Sequence, residues 1–319
     1  MGALPDLVRK SCAAAAAQAS SVRVAVEKIP GYALSLPPPE PFPPHDPRWH
    51  FSGTEADTVA YFITLDTVNF GSGWFPWLNK RAPLSGYFTI ASFLADRFRS
   101  RGPLTAAELA EISCSEVTRL FGQQGAPEPV AELMELFTQG LSDLGRLLLE
   151  RYDGGFMNLV EQAGGSAVRL AELLIEMPLF RDRQPYRGGE VHFYKRAQIA
   201  PQDLALAFAG KGAGSFGDLE RLTIFADNLV PHVLRVDGVL EYAPLLARAI
   251  DDGEPLAAGS AEEVELRACA VHAVELVARA LREAGRPAAP REIDFLLWNR
   301  GQHPFYKSRP RHRTRTPFY

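Results

Sequence analysis

Helix-start signals followed by apolar residues at helical spacing recur along this chain, and they constrain its fold more than any other feature. Thr105 with Glu108 three residues later forms a capping box, and Leu109, Ile112, Val117 and Leu120 follow before Gly122 stops the run. Ser260 and Glu263 repeat the device, opening a helix through Val264, Ala268, Val271, Val274 and Val277 towards Gly285. Between them lie the run Pro129 to Arg151, with Leu133, Phe137, Leu141, Leu144 and Leu148 in register, and a shorter segment, Ser166 to Glu176. Strand patterns are few. Val59 to Leu65 fits a short strand or a buried helix, because periodicity does not separate the two in a short apolar run. The pattern predicts an all-α fold, a single helical body of two lobes with few or no strands.

Seven of the eleven residues from Pro37 to Pro47 are proline, so this stretch is an extended strap rather than helix interior. It divides the chain into an N-terminal helix with strap, residues 1–48, and a continuous helical domain, residues 49–319. With 46% hydrophobic and 23% charged residues the composition is that of an ordinary globular protein. A net charge of -4 argues against a surface coated in positive charge for gripping duplex nucleic acid. The alanine-rich run Ser11 to Val22 is too short for a membrane span, and Asp6 before it speaks against a signal peptide. Three distant cysteines, Cys12, Cys114 and Cys269, without CxxC pairing, give neither a disulfide framework nor a zinc site, which points to a reducing, cytoplasmic setting.

Four segments are too polar or too aromatic for their apolar surroundings. They are LDTVNFGSGWFPW (Leu65 to Trp77), HFYKRAQ (His192 to Gln198), GKGAG (Gly210 to Gly214) and TIFADNLVPHVL (Thr223 to Leu234). None matches a Walker loop, HExxH or GxSxG, and no metal-ligand spacing occurs. GKGAG, with a second helical segment expected from Asp218, is either a plain helix-ending turn or a helix-hairpin-helix element. In the second case Asp227, 13 residues after Gly214, stands where helix-hairpin-helix DNA glycosylases carry their catalytic aspartate. Asp227 also sits among Ile224, Phe225, Ala226, Leu229 and Val230, where a carboxylate is costly unless it is paired or employed. The structural alternative is a helix cap, for which Asn228 or a neighbour is better placed before Pro231. Lys195 and Arg196 are solvated cations or anion contacts. Asp66 and Asn69 share a face if helical, with Phe70, Trp74, Phe75 and Trp77 nearby. These are either core aromatics or, with the carboxylate and amide, a receptor for a planar guanine-like edge.

In this order, LDTVNFGSGWFP, HFYKRAQI, GKGAGSFGDLERLTIFADNLVPHVL, EVELRACAVHAVEL and IDFLLWNRGQ resemble the queuosine salvage protein family, the queuosine 5'-phosphate N-glycosidases. The likeness covers roughly Trp49 to Tyr319, with no clear counterpart for the N-terminal helix and strap. It implies an all-α fold with a helix-hairpin-helix glycosylase-like core. The implied reaction hydrolyses queuosine 5'-phosphate and releases queuine, a 7-deazaguanine with an aminomethyl-cyclopentenediol tail, for reuse in tRNA modification. It makes Asp227 the catalytic carboxylate, Lys195 a site residue, and Asp66 and Asn69 part of the base pocket. Phe70, Trp74, His192, Arg196 and Asn228, from the same segments, complete the candidate substrate-binding set.

The chemistry suits these residues. Breaking an N-glycosidic bond builds positive charge on the ribose, which a carboxylate at Asp227 stabilises. A 7-deazapurine has carbon where purines carry N7, so leaving-group protonation there is closed and the ribosyl side bears more of the burden. The 5'-phosphate calls for Lys195 or a nearby arginine. The basic tail Lys307 to Arg315 and the ending TPFY are either solvated or folded back onto the pocket. No metal or organic cofactor is required, and a monomer taking a small molecule rather than duplex DNA or a membrane is the expectation. Two other functions fit some of the same features: a helix-hairpin-helix DNA-base glycosylase, and a non-catalytic queuine or nucleotide-binding protein.

Overall fold

The computed structural model describes residues 3–319, and helix dominates it. The N-terminal part holds α1 (Leu4–Gln18) and α2 (Ile29–Ser35). After an extended stretch come α3 (Glu55–Thr67), α4 (Gly86–Arg101), α5 (Ala106–Ala110), α6 (Cys114–Leu120), α7 (Glu128–Arg151), α8 (Phe156–Glu161) and α9 (Ala167–Leu174). Then follow α10 (Lys195–Ala207), α11 (Leu229–Val236), α12 (Pro244–Asp251), α13 (Ala261–Glu283), α14 (Pro290–Gly301) and α15 (Pro304–Lys307). Among the described residues, strand is confined to β1 (Val22–Val24), β2 (Arg183–Tyr186), β3 (Gly189–His192) and β4 (Leu240–Tyr242), joined as two antiparallel ribbons, β1 with β4 and β2 with β3.

Local chemistry sets most helix starts. Thr54, Ser85 and Ser166 accept the orphan amides of Asp57, Phe88 and Arg169 at the heads of α3, α4 and α9. The single helix expected from Thr105 to Gly122 is in fact two. α5 ends at Ala110, and Ser113 with Glu116 makes a second capping box that starts α6 afresh, so a start signal inside the run overrides its apolar period. The Ser260 box is half made: Ser260 accepts from Glu263 N at 3.3 Å, but the Glu263 carboxylate turns to Gly259 N and Arg267. Val59 to Leu65 is helical, inside α3.

α7 packs on α3, α5 and α6 in one lobe, while α13 packs on α1, α2, α11 and α14 in the other. α10 packs on α3 and α9. One apolar core runs through both, and it includes Leu4, Val8, Cys12 and Ala15 of α1 as well as Val22 and Ile29. The proline strap carries no regular structure. No helix among the described residues is long and apolar enough to cross a membrane.

The GKGAG turn folds tightly on the end of α10, where a Cβ on Gly214 would lie 2.5 Å from Leu204 O. The second helix expected from Asp218 does not follow. Leu219–Arg221 is one 3-10 turn, and the chain then runs without regular structure to α11. Asp218 is engaged elsewhere: its carboxylate accepts Ser166 Oγ (2.7 Å) and Ala167 N (2.6 Å) at the head of α9, which holds the segment across that neighbour.

Candidate active site

Three element ends converge on one cluster of ionisable groups: the last turn of α3, the first turn of α10 and the head of α11. Asp227 precedes α11, and its Oδ1 accepts from Leu229 N (2.7 Å) and Val230 N (3.2 Å). The cap expected at Asn228 is therefore supplied by Asp227. Geometry explains the exchange, because Asn228 turns its amide to Ser72 Oγ (3.2 Å) and His312 O (3.3 Å). The other oxygen of Asp227 has no hydrogen-bond partner among the described residues.

Lys195 opens α10 and donates from Nζ to Asn69 O at 3.3 Å. Burial pulls its pKa below the usual lysine value, while Asp227, Asp66 and Asp203 act in the opposite direction, which places its ammonium among three carboxyl groups. Asp66, 1% exposed, accepts from Asn69 Nδ2 at 3.1 Å through Oδ1, and its Oδ2 is buried without a partner. Burial raises its pKa well above the carboxylate range, with Asp203 adding to the effect. Asp203, two turns along α10 from Lys195, is pushed up to about 7 by burial, and Lys195 draws it back. Two carboxyls that oppose one another in a dry setting cannot both ionise cheaply, so the pair is set up to hold a proton or a ligand's cationic or N–H group.

The remaining predicted residues divide between this cluster and its scaffold. Asn69 belongs to the cluster through Asp66. Phe70 lies edge-on to Phe137 and under Arg196, and Trp74 donates Nε1–H to Glu132 at 2.8 Å; both are buried in the core and neither ring has an open face. Arg196 is a clamp within the fold. Its guanidinium donates to Thr67 O (2.5 Å), Leu179 O and Pro317 O (2.9 Å), between the rings of Phe70 and Phe180. His192 lies on β3 against the Tyr194 hydroxyl (2.9 Å) and beside Glu190, towards α1 rather than Asp227.

Several neighbours of the cluster escaped sequence reasoning. Asp294 on α14 accepts Phe225 N at 2.9 Å, and burial followed by the charge of Asp227 pushes its carboxyl up to about 8. The signal was present, since Asp294 stands among Ile293, Phe295, Leu296 and Leu297 as Asp227 does in its own apolar frame. Tyr87 and the strap's His45 approach Asp203. Arg311, in the basic tail, keeps accessible surface; burial lowers its pKa, and the charge of Asp227 acts in the opposite direction. The tail folds back through Tyr319 O to Gly71 N (3.1 Å) and Arg313 O to Leu256 N (2.8 Å). A separate surface cavity of about 560 Å³ between α1 and β4 shares no lining residue with this cluster, and it is walled mainly by alanine, serine and valine.

Sequence comparison gives the chain its family. The family described as queuosine salvage protein matches residues 49–319. A Sphaerobacter thermophilus protein named queuosine 5'-phosphate N-glycosylase/hydrolase is 39% identical over 282 residues, with 86% of each chain covered. Proteins of the same name from Mus musculus and Schizosaccharomyces pombe are 32% and 34% identical, covering 84% and 78% of this chain and 83% and 76% of their own. With a family match over 271 residues and relatives alike along most of their length, this chain belongs to the queuosine salvage protein family.

Proposed function

We propose that this chain hydrolyses the N-glycosidic bond of queuosine 5'-phosphate and releases queuine. The family and the names of its relatives support the reaction, and the observation that carries it to these residues is the Asp227 carboxylate, with one oxygen fixed by helix amides and the other free. The free oxygen faces the anomeric carbon as the bond to the base breaks and positive charge spreads over the ribose. Water then supplies a hydroxyl to that carbon and a proton to the departing base nitrogen. Asp66 and Asp203, with the Tyr87 hydroxyl beside them, take the polar edge and cationic tail of the base. Lys195 stands between the two acidic stations and keeps their charges from repelling one another.

Lys195 is so enclosed by carboxyls that the 5'-phosphate is better served by Arg311, whose side chain is accessible and within reach of the charge of Asp227. Incubating the protein with queuosine 5'-phosphate and separating the products by chromatography tests the reaction. Free queuine is the expected product, and binding without release over a long incubation points to a carrier instead. Arg311→Ala is expected to lower kcat/KM for the nucleotide about tenfold or more and to leave the unphosphorylated nucleoside nearly unaffected, as loss of a charge-assisted contact predicts. Equal losses on both substrates remove Arg311 from the phosphate site.

A further inference from the structure

Lys195 is entered through a backbone conformation that side-chain-bearing residues seldom adopt. Tyr194, immediately before it, has φ of +52°, in the left-handed region, where a Cβ is crowded by the following carbonyl. Such a residue persists only where its surroundings over-determine it. Here they do, through a single neighbour. The carbonyl of Asp182 accepts from Phe193 N (2.9 Å) and Tyr194 N (3.2 Å), and its Oδ2 accepts from Lys195 N (3.2 Å), so three consecutive amides hang on one residue.

That residue is held in turn by Arg267 of α13. Its two terminal nitrogens donate to Asp182 Oδ1 (3.0 Å) and Oδ2 (2.6 Å), and Asp182 and Arg267 are 2% and 0% exposed. The remaining guanidinium donor, Nε, reaches Ala226 O at 3.0 Å, the peptide that leads into Asp227. The guanidinium is pinned between the rings of Phe193 (3.9 Å) and Tyr319 (4.7 Å). One rigid fork therefore grips the main chain before Asp227 directly and the main chain at Lys195 through Asp182. A sealed ion pair does little for stability that apolar groups of similar volume would not do. Its consequence lies in what it orients.

We propose that Asp182 and Arg267 are positioning residues that fix the separation of Lys195 and Asp227 without touching substrate. The inference rests on the proposed reaction. Replacing both partners together, Asp182→Leu with Arg267→Met, in a Glu263→Gln background that neutralises the buried carboxylate 3.6 Å from Arg267, leaves no unpaired buried charge and is the principal test. Arg267→Lys, which keeps a cation for Asp182 but cannot span to Ala226 O, is the second. Thermal unfolding, the Kd of free queuine, and kcat and KM on queuosine 5'-phosphate are measured for each beside the wild type. Expected are cooperative unfolding, queuine Kd and KM within about threefold of wild type, and kcat lower by a hundredfold or more in the combined variant and about tenfold in Arg267→Lys. A kcat within threefold of wild type in a folded variant overturns the positioning role. So does a fall in queuine affinity by the same factor as kcat, which marks a loosened site rather than a misplaced pair. If the combined variant does not fold, Arg267→Lys is judged by the same criteria. A wild type that releases no queuine sinks the reaction itself, a separate failure from unchanged kcat in the variants.

Discussion

At Asp227 the two carboxylate oxygens have different surroundings, and substitution separates their roles. Oδ1 caps α11 and the other oxygen is unpartnered. Asparagine keeps the capping oxygen and removes the charge, so Asp227→Asn is expected to melt close to wild type while turnover falls a hundredfold or more. Asp227→Ala loses the cap as well and is expected to lose about 1 kcal/mol of stability besides. A stable, active Asp227→Asn would leave Asp227 as a cap alone. Asp294 holds its proton to a higher pH than an exposed acid does. Its folded carboxyl stands at about 8 against an ordinary 3.8, so the folded protein holds a proton that the unfolded chain releases. That contribution to stability is complete below about pH 4 and is lost as pH rises through about 8. Asp294→Asn, which retains an acceptor for Phe225 N, is therefore expected to show a shallower fall in Tm than wild type between pH 5 and 9. Parallel curves would mean that Asp294 is already ionised when folded. Asp227 was legible in the sequence because a charge among five apolar neighbours demands a reason, and the same test picks out Asp294. Arg311 reads less clearly, since an arginine in a run of basic residues gives the same pattern whether it is solvated or folded onto the body.

Between elements, legibility followed sequence distance. Thr105 with Glu108 and Ser113 with Glu116 announce their helices within four residues, and both boxes form. The β1–β4 ribbon joins Val22 to Tyr242, a pairing that no local pattern encodes, because strands of three residues leave too little alternation to read. The tail lies between these cases: its aromatic ending hinted at burial, but not where it docks. It passes so close to the loop after α3 that a Cβ on Gly73 would stand 2.1 Å from Thr314 O, a backbone atom with no freedom to swing aside. Thr314 and Tyr319 are buried, and Arg196 and Asn228 both hold tail carbonyls beside the acidic cluster. Gly73→Ala is accordingly expected to displace the tail, to lower stability by roughly 1–3 kcal/mol as overpacking does, and to cut turnover with it. Limited proteolysis, read as earlier cleavage after Lys307 than in wild type, locates the damage. An unchanged digestion pattern and Tm would show that the tail tolerates the shift.

On the scale of the whole molecule, the family match begins at Trp49, whereas the core does not. α1 lies along α13, the helix that carries Arg267, and Glu265 on the same helix receives the amides of Ser20 (3.0 Å), Ser21 (2.6 Å) and Val22 (3.1 Å) at the turn into β1. His45, from the proline strap, closes on the far side of the cluster at Asp203 O (3.1 Å). Leu4, Val8, Val22, Ile29 and Leu36 are each less than 5% exposed. Burying a side chain of that size is worth roughly 1.5–3 kcal/mol, against a margin of about 5–15 kcal/mol for a whole domain. Removing residues 1–48 takes all five away, exposes the face of α13 they cover, and strands the buried Glu265 carboxylate without its three amide donors. The truncated chain 49–319 is therefore expected to lose cooperative unfolding and to expose apolar surface, seen as increased binding of a hydrophobic dye, with queuine release abolished. His45→Ala in the intact chain should keep its melting transition and change queuine affinity only, which separates the strap's part at the site from the part α1 and β1 play in folding. If residues 49–319 alone melt cooperatively near the wild-type temperature and turn over substrate, the N-terminal segment is an accessory layer and the core closes without it.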